Sequence, residues 1–172
     1  VTTIQNWLAE VPESFQFIVK THRGMTLHER GQEKGELEQL FNRYRKTVAP
    51  LVAAGQLKTV LFQFPPYFDA SPQDIEYLRL VRLWMGNLPI AIELRNQTWY
   101  RPGTLKSLLA FCRELHFTLV AADEPHGTVT SVPFVLATTN PDLVMMRLHG
   151  QNTEGWINQG KSWRKTRTLY KY

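Results

Sequence analysis

Leu88-Pro89-Ile90-Ala91-Ile92-Glu93-Leu94-Arg95 is the stretch on which the fold turns. A proline halts the preceding segment, an apolar run follows, and the run ends in charge on alternate residues. Its length and composition suit a strand covered on both faces, the kind a parallel sheet uses. Just upstream, Ser71-Pro72-Gln73-Asp74 carries the marks of a helix start: a capping hydroxyl, a proline at the first helical position and an acid beside the unpaired N–H groups. That helix is predicted to run to Gly86 with Ile75, Leu78, Val81 and Leu83 on or near its buried side. Downstream, Pro102-Gly103-Thr104 opens another helix, in which Leu105, Leu108, Leu109, Cys112 and Leu115 keep the spacing of a stripe laid on a sheet. Cys112 therefore reads as core. Helix, strand and helix in this order imply βαβ units.

Working outward, four more strand-sized apolar runs occupy residues 15–20, 59–64, 117–122 and 143–148. Together with 90–95, their starts are 44, 31, 27 and 26 residues apart, the step of a strand-plus-helix unit with one insertion. Residues 1–11 and 35–54 have helical spacing, and Pro50 is expected to kink or end the second of these helices. The chain reads as a single domain over 1–172 with a mainly parallel sheet. Residues 124–141, rich in Thr, Ser, Pro and Gly, read as a surface excursion longer than an ordinary βα loop.

Composition narrows the function classes. With 43% hydrophobic residues the chain can bury a core, yet charged residues interrupt every apolar run before the length of about 20 needed to span a bilayer. A single cysteine excludes an internal disulfide and a Cys-rich zinc site, and fits a reducing cytoplasm. Val1-Thr2-Thr3-Ile4 has no look of a secretory leader. The formal charge is +5, and Lys161, Arg164, Lys165, Arg167 and Lys171 account for all of it. The body of the domain is thus balanced, and any nucleic-acid contact is expected from 161–171.

In parallel α/β proteins ligands bind beyond the carboxyl ends of the strands. Every run here ends in polar residues: Lys20 and His22, Gln63, Glu93 and Arg95, Asp123 and Glu124, Arg147 and His149. Residues two apart on a strand share a face, so these pairs can share a site. Glu93, His149 and Asp123 are the candidates for acid/base catalysis. Lys20, His22, Gln63, Arg95, Trp99 and Arg147 are the candidates for substrate binding, the cations for an anion and Trp99 for stacking on a ring. A structural salt bridge from Glu93 to Arg95 or Arg147 is the bland alternative. Glu93, Asp123, Glu124, His22 and His149 are chemically able to hold a divalent metal, but no ligand-spaced cluster assigns one. No GxGxxG, Walker, HExxH or GxSxG pattern is present, which disfavours the usual dinucleotide and nucleoside-triphosphate enzymes.

At these strand ends the sequence resembles the YecE-like family, domain of unknown function 72, found widely in microbes. The matching stretches are Phe15-Gln16-Phe17-Ile18-Val19-Lys20 with His22, Leu61-Phe62-Gln63-Phe64-Pro65-Pro66, Ala91-Ile92-Glu93-Leu94-Arg95 with Trp99, Ala122-Asp123, and Arg147-Leu148-His149-Gly150. The resemblance implies a TIM-type (β/α)8 barrel, here incomplete, with about five of eight strands. It names no activity. The expected function is an enzyme acting on a small polar or anionic substrate, phosphorylated or sugar-like. A nucleic-acid-binding protein and a non-catalytic ligand sensor are the rivals.

Overall fold

The computed structural model describes residues 2–29 and 31–157, so the basic stretch 161–171 lies outside the described residues. Four strands, β1 (Phe17–Lys20), β2 (Leu57–Gln63), β3 (Ile90–Glu93) and β4 (Phe117–Leu119), pair in parallel and in sequence order. A second parallel ladder joins β5 (Ala121–Asp123) to β6 (Met146–Leu148). Helices α1 (Thr2–Glu10), α2 (Lys34–Ala53), α3 (Pro72–Met85), α4 (Pro102–Glu114) and the short α5 (Thr153–Ile157) complete the order.

The run at 117–122, expected as one strand, divides at Val120. Val120 N–H still donates to Ile92 on β3 at 2.9 Å, whereas Ala121 N–H donates to Met145 beside β6 at 3.0 Å. One segment therefore changes partner midway, as a strongly twisted sheet requires when it curls. Among the described residues no ladder joins β1 to β6, and the sheet stays open. Both outer strands leave apolar side chains uncovered: Ile18 on β1 is 49% exposed, and Met146 and Leu148 on β6 are 52% and 51% exposed.

Alternation divides the sheet into two faces. Val60, Phe62, Phe64, Ile90, Ile92 and Phe117 face the helices and build the main core with Leu78, Val81 and Trp84 of α3 and Leu108 and Cys112 of α4. Leu61, Ala91 and Val120 face the other way and form a small second cluster against Met145. Gln63 and Glu93, the polar ends of β2 and β3, stand on this second face.

Some expected details shift. Ser71 does cap α3, its Oγ accepting from Asp74 N–H at 3.3 Å. Leu83, however, is 70% exposed, because the turn that buries Val81 brings Trp84 and Met85 round to the core instead. Pro50 does not end α2 at its own position: the helix runs on to Ala53. So near the end, the missing N–H removes only one bond of the helical ladder. Phe15 lies outside β1, in a turn closed by its N–H on Pro12 O at 2.9 Å. Residues 124–141 hold no helix or strand, yet Ser131, Val132 and Thr139 are buried against the body. No described helix is long and apolar enough to cross a membrane.

Candidate functional site

Register places the site. Gln63 on β2 stands beside Glu93 on β3, one step beyond Leu61 and Ala91 on the small apolar face. The layer under the site is therefore apolar and the layer at the strand ends is polar. Glu93 has no exposed side-chain surface. Its Oε1 accepts from Gln63 Nε2 at 2.9 Å, and Arg147 Nη1 donates to its Oε2. Lys20 Nζ in turn donates to Gln63 Oε1 at 2.7 Å, so a relay runs from the outer strand to the buried carboxylate.

His149 closes the other side. Its Nε2 is 3.3 Å from Glu93 Oε1, but among the described residues this buried nitrogen makes no hydrogen bond. The two groups form an ion contact, and the ring helps hold the Glu93 carboxyl down. Arg95 stands 4.0 Å from Glu93 Oε1 but bonds to Glu124, Nε to Oε1 at 3.2 Å. Glu124 Oε2 accepts from Val132 N–H at 2.9 Å, which ties the 124–141 segment to the site. Above them the Trp156 ring takes the Arg95 guanidinium at 4.9 Å and the His149 ring at 5.8 Å.

The two glutamates titrate in opposite directions. Burial would raise Glu93, but the neighbouring His149 ring and Arg147 guanidinium outweigh it and hold the carboxyl down at about 2. For Glu124 burial prevails over Arg95 and the Val132 N–H, and its carboxyl is raised. Glu93 is thus a fixed negative charge, and Glu124 takes a proton more readily than an ordinary glutamate. Three cations (Lys20, Arg95 and Arg147) face these two carboxylates.

The structure brings Glu93, His149, Lys20, Gln63, Arg95 and Arg147 together. It leaves three expected site residues outside. Asp123 pairs with Leu148 in the register, on the face opposite Arg147, and accepts from Gln151 Nε2 at 3.1 Å. His22 turns into the next loop, where Nδ1 accepts from Gly24 N–H at 3.1 Å and caps a 3₁₀ turn. Trp99 is only 2% exposed, stacks on Phe68, and donates from Nε1 to Phe68 O at 2.9 Å, so it is core and offers no face to a ligand.

Trp156 is the residue that sequence reasoning missed, and Glu124 enters the sequence analysis only as a strand-end carboxylate able to hold a metal, not as a catalytic or substrate-binding residue. Alternation could have found Glu124, which shares a face with Ala122 and hence with Arg147. Trp156 lies in a short helix past the last strand, with no comparable signal. Glu93, Glu124 and His149 offer ligand atoms within 4.8 Å of one another and could hold a metal, whereas Asp123 and His22 are not in that group. A cavity of about 640 Å3 lies elsewhere, beside α2 and α3, lined by Leu37, Tyr67, Asp69 and Tyr77 among others and by none of the cluster residues. Charge and burial, not cavity size, mark the site.

Known proteins give a consistent picture. The family model described as "Protein of unknown function DUF72" matches residues 1–172. The UPF0759 protein YunF of Bacillus subtilis (strain 168) is 39% identical over 171 residues, covering 98% of this chain and 61% of that protein. A crystal structure of a DUF72 family protein from Enterococcus faecalis V583 superposes with a TM-score of 0.89 at 37% identity, over 99% of this chain and 62% of that one. Another, from Thermotoga maritima MSB8, gives 0.82 at 28% identity, over 99% and 61%. The chain thus spans about three fifths of the length of these relatives.

Proposed function

We propose a function for a chain that belongs to the DUF72 family: it binds a small polar anion, phosphorylated or sugar-like, at the carboxyl ends of its strands and acts on it by acid/base chemistry. The observation that carries this reading is Glu93. A carboxylate without solvent contact, placed among Gln63, Arg147, Arg95 and His149, costs more than a simple core would. Buried charge arranged this way is characteristic of sites where pKa values are set for a task.

Each residue has a part in this reading. Lys20, Arg95 and Arg147 exceed the two carboxylates in charge and favour an anion. Glu93, ionised throughout the neutral range, steadies the positive charge that develops on His149 when the ring takes a proton. Glu124, with its raised carboxyl, is a second proton carrier, and it takes the role expected of Asp123. The open edges at β1 and β6 are consistent with a TIM-type barrel closed by further strands, since the relatives are longer.

The test is a ligand screen by thermal shift on the full protein, followed by turnover of whatever binds. Glu93→Gln is expected to keep affinity within about tenfold and to abolish turnover. Turnover equal to wild type in that variant removes the proposed role.

A further inference from the structure

We infer that Glu93, Glu124 and His149 are the ligand set of a divalent first-row cation of the Mn2+ or Zn2+ kind. One oxygen from each carboxylate and one imidazole nitrogen lie within 4.8 Å of one another. Neither carboxylate has exposed side-chain surface. The three donors come from β3 and from the segments just past β5 and β6, a convergence that needs the folded sheet.

The contact between His149 and Glu93 is the geometry that most favours a cation. His149 Nε2 stands 3.3 Å from Glu93 Oε1 in an ion-pair contact that helps hold that carboxyl down, and among the described residues no hydrogen bond of good geometry completes this buried nitrogen. Buried polar nitrogens are nearly always satisfied by protein, water or an ion. Two ligand atoms on one cation, at bond lengths of about 2.1 Å, stand roughly 3.0–3.4 Å apart in tetrahedral or octahedral geometry. The spacing from His149 to Glu93 already falls in that range, without the alignment of a hydrogen bond. Since the donors lie within 4.8 Å of one another, Glu124 needs to close by about 1.8 Å at most to join them, a side-chain adjustment.

Donor chemistry selects the cation. Two carboxylates with one imidazole suit a borderline divalent ion better than Ca2+, which takes oxygen alone, or Cu(I), which takes sulfur. Three protein ligands leave positions open for water or substrate. The arginines do not block the site, because each carboxylate oxygen can accept twice, and Arg147 and Arg95 each use one such place. They do neutralise both carboxylates, so a dication brings surplus positive charge and its open positions suit an oxyanion. Cation binding therefore tightens when phosphate is present.

The inference rests on the proposed site and deepens its chemistry: with the cation bound, His149 is a ligand and the exchanged proton is that of water on the cation. Calorimetric titration of the EDTA-stripped full protein with Mn2+, with and without inorganic phosphate, reads it directly. One equivalent per chain is expected, tightened by phosphate, weakened at least tenfold in Glu124→Gln and His149→Ala, and unchanged in Asp123→Asn. Since a variant can lose the site by losing its fold, pulsed EPR supplies a second readout: nitrogen hyperfine coupling on bound Mn2+ in wild type, absent from folded His149→Ala. Absence of stoichiometric binding, or equal affinity in His149→Ala, overturns the cation site while the metal-free His149 reading survives. One equivalent of Mn2+ that depends on Glu124 and His149 but is indifferent to phosphate, in a protein that takes up no small anion, overturns that reading and upholds the cation.

Discussion

Arg147 and Glu93 form an ion pair across the place where the sheet changes partner, Arg147 on β6 in the two-stranded ladder and Glu93 on β3 in the four-stranded one. Among the described residues no backbone hydrogen bond links those strands directly, so this side-chain contact helps hold the two ladders together. Removing Arg147 leaves a buried carboxylate short of its main counter-charge. Arg147→Ala is expected to lose about 3–5 kcal/mol in urea denaturation. Glu93→Gln is expected to lose less, because Arg147 is 29% exposed and water can solvate it.

Acid titration separates the two glutamates. Glu93 is lowered in the folded state, so the stability it contributes is fully present above its ordinary value near 4.5 and is lost as pH falls to about 2. Melting temperature measured from pH 6 to pH 2 is expected to drop more steeply for wild type than for Glu93→Gln. Glu124 is raised, and its sign is opposite: the folded state holds that proton more tightly, so stability falls as pH rises from the ordinary value through the raised one. In Glu124→Gln that decline disappears, which pH-dependent melting of the variant checks.

Trp99 serves the core, and its substitution reports on stability alone. Trp99→Phe keeps a ring against Phe68 but leaves the Phe68 carbonyl without its donor. A loss of about 1–3 kcal/mol is expected by chemical denaturation, with ligand and Mn2+ affinity unchanged in the folded variant. A selective loss of affinity would return Trp99 to the site.

The Ser71 cap gives a local calibration. Ser71→Ala removes the hydroxyl that accepts from Asp74 N–H and is expected to cost about 1 kcal/mol in the same measurement, without effect on the distant site.

The parallel arrangement was legible because the segments around Ile90–Glu93 carry both periods, two for strands and three to four for α3 and α4. The polar strand ends led directly to Glu93, Arg147, His149 and Gln63. What sequence could not show was geometry beyond the strands. Asp123 and Glu124 are adjacent, and the partner change at Val120 decides which of them faces the cluster. His22 is two residues from Lys20, but the chain leaves the strand after Lys20 and the shared face ends there. Trp99 and Trp156 both follow strands, and only packing against Phe68 or over Arg95 tells core from site.

The most direct measurement is native mass spectrometry of the gently purified full protein beside its Lys20→Gln variant. Lys20 is exposed and reaches the cluster through Gln63, so this change tests the positive charge without emptying the buried centre. The expected result is a small anionic compound retained by wild type and lost, or at least tenfold weaker, in the folded variant. Wild type carrying no such compound, or one retained equally by Lys20→Gln and Arg147→Gln, would mean that the buried charges are structural and that the site lies elsewhere.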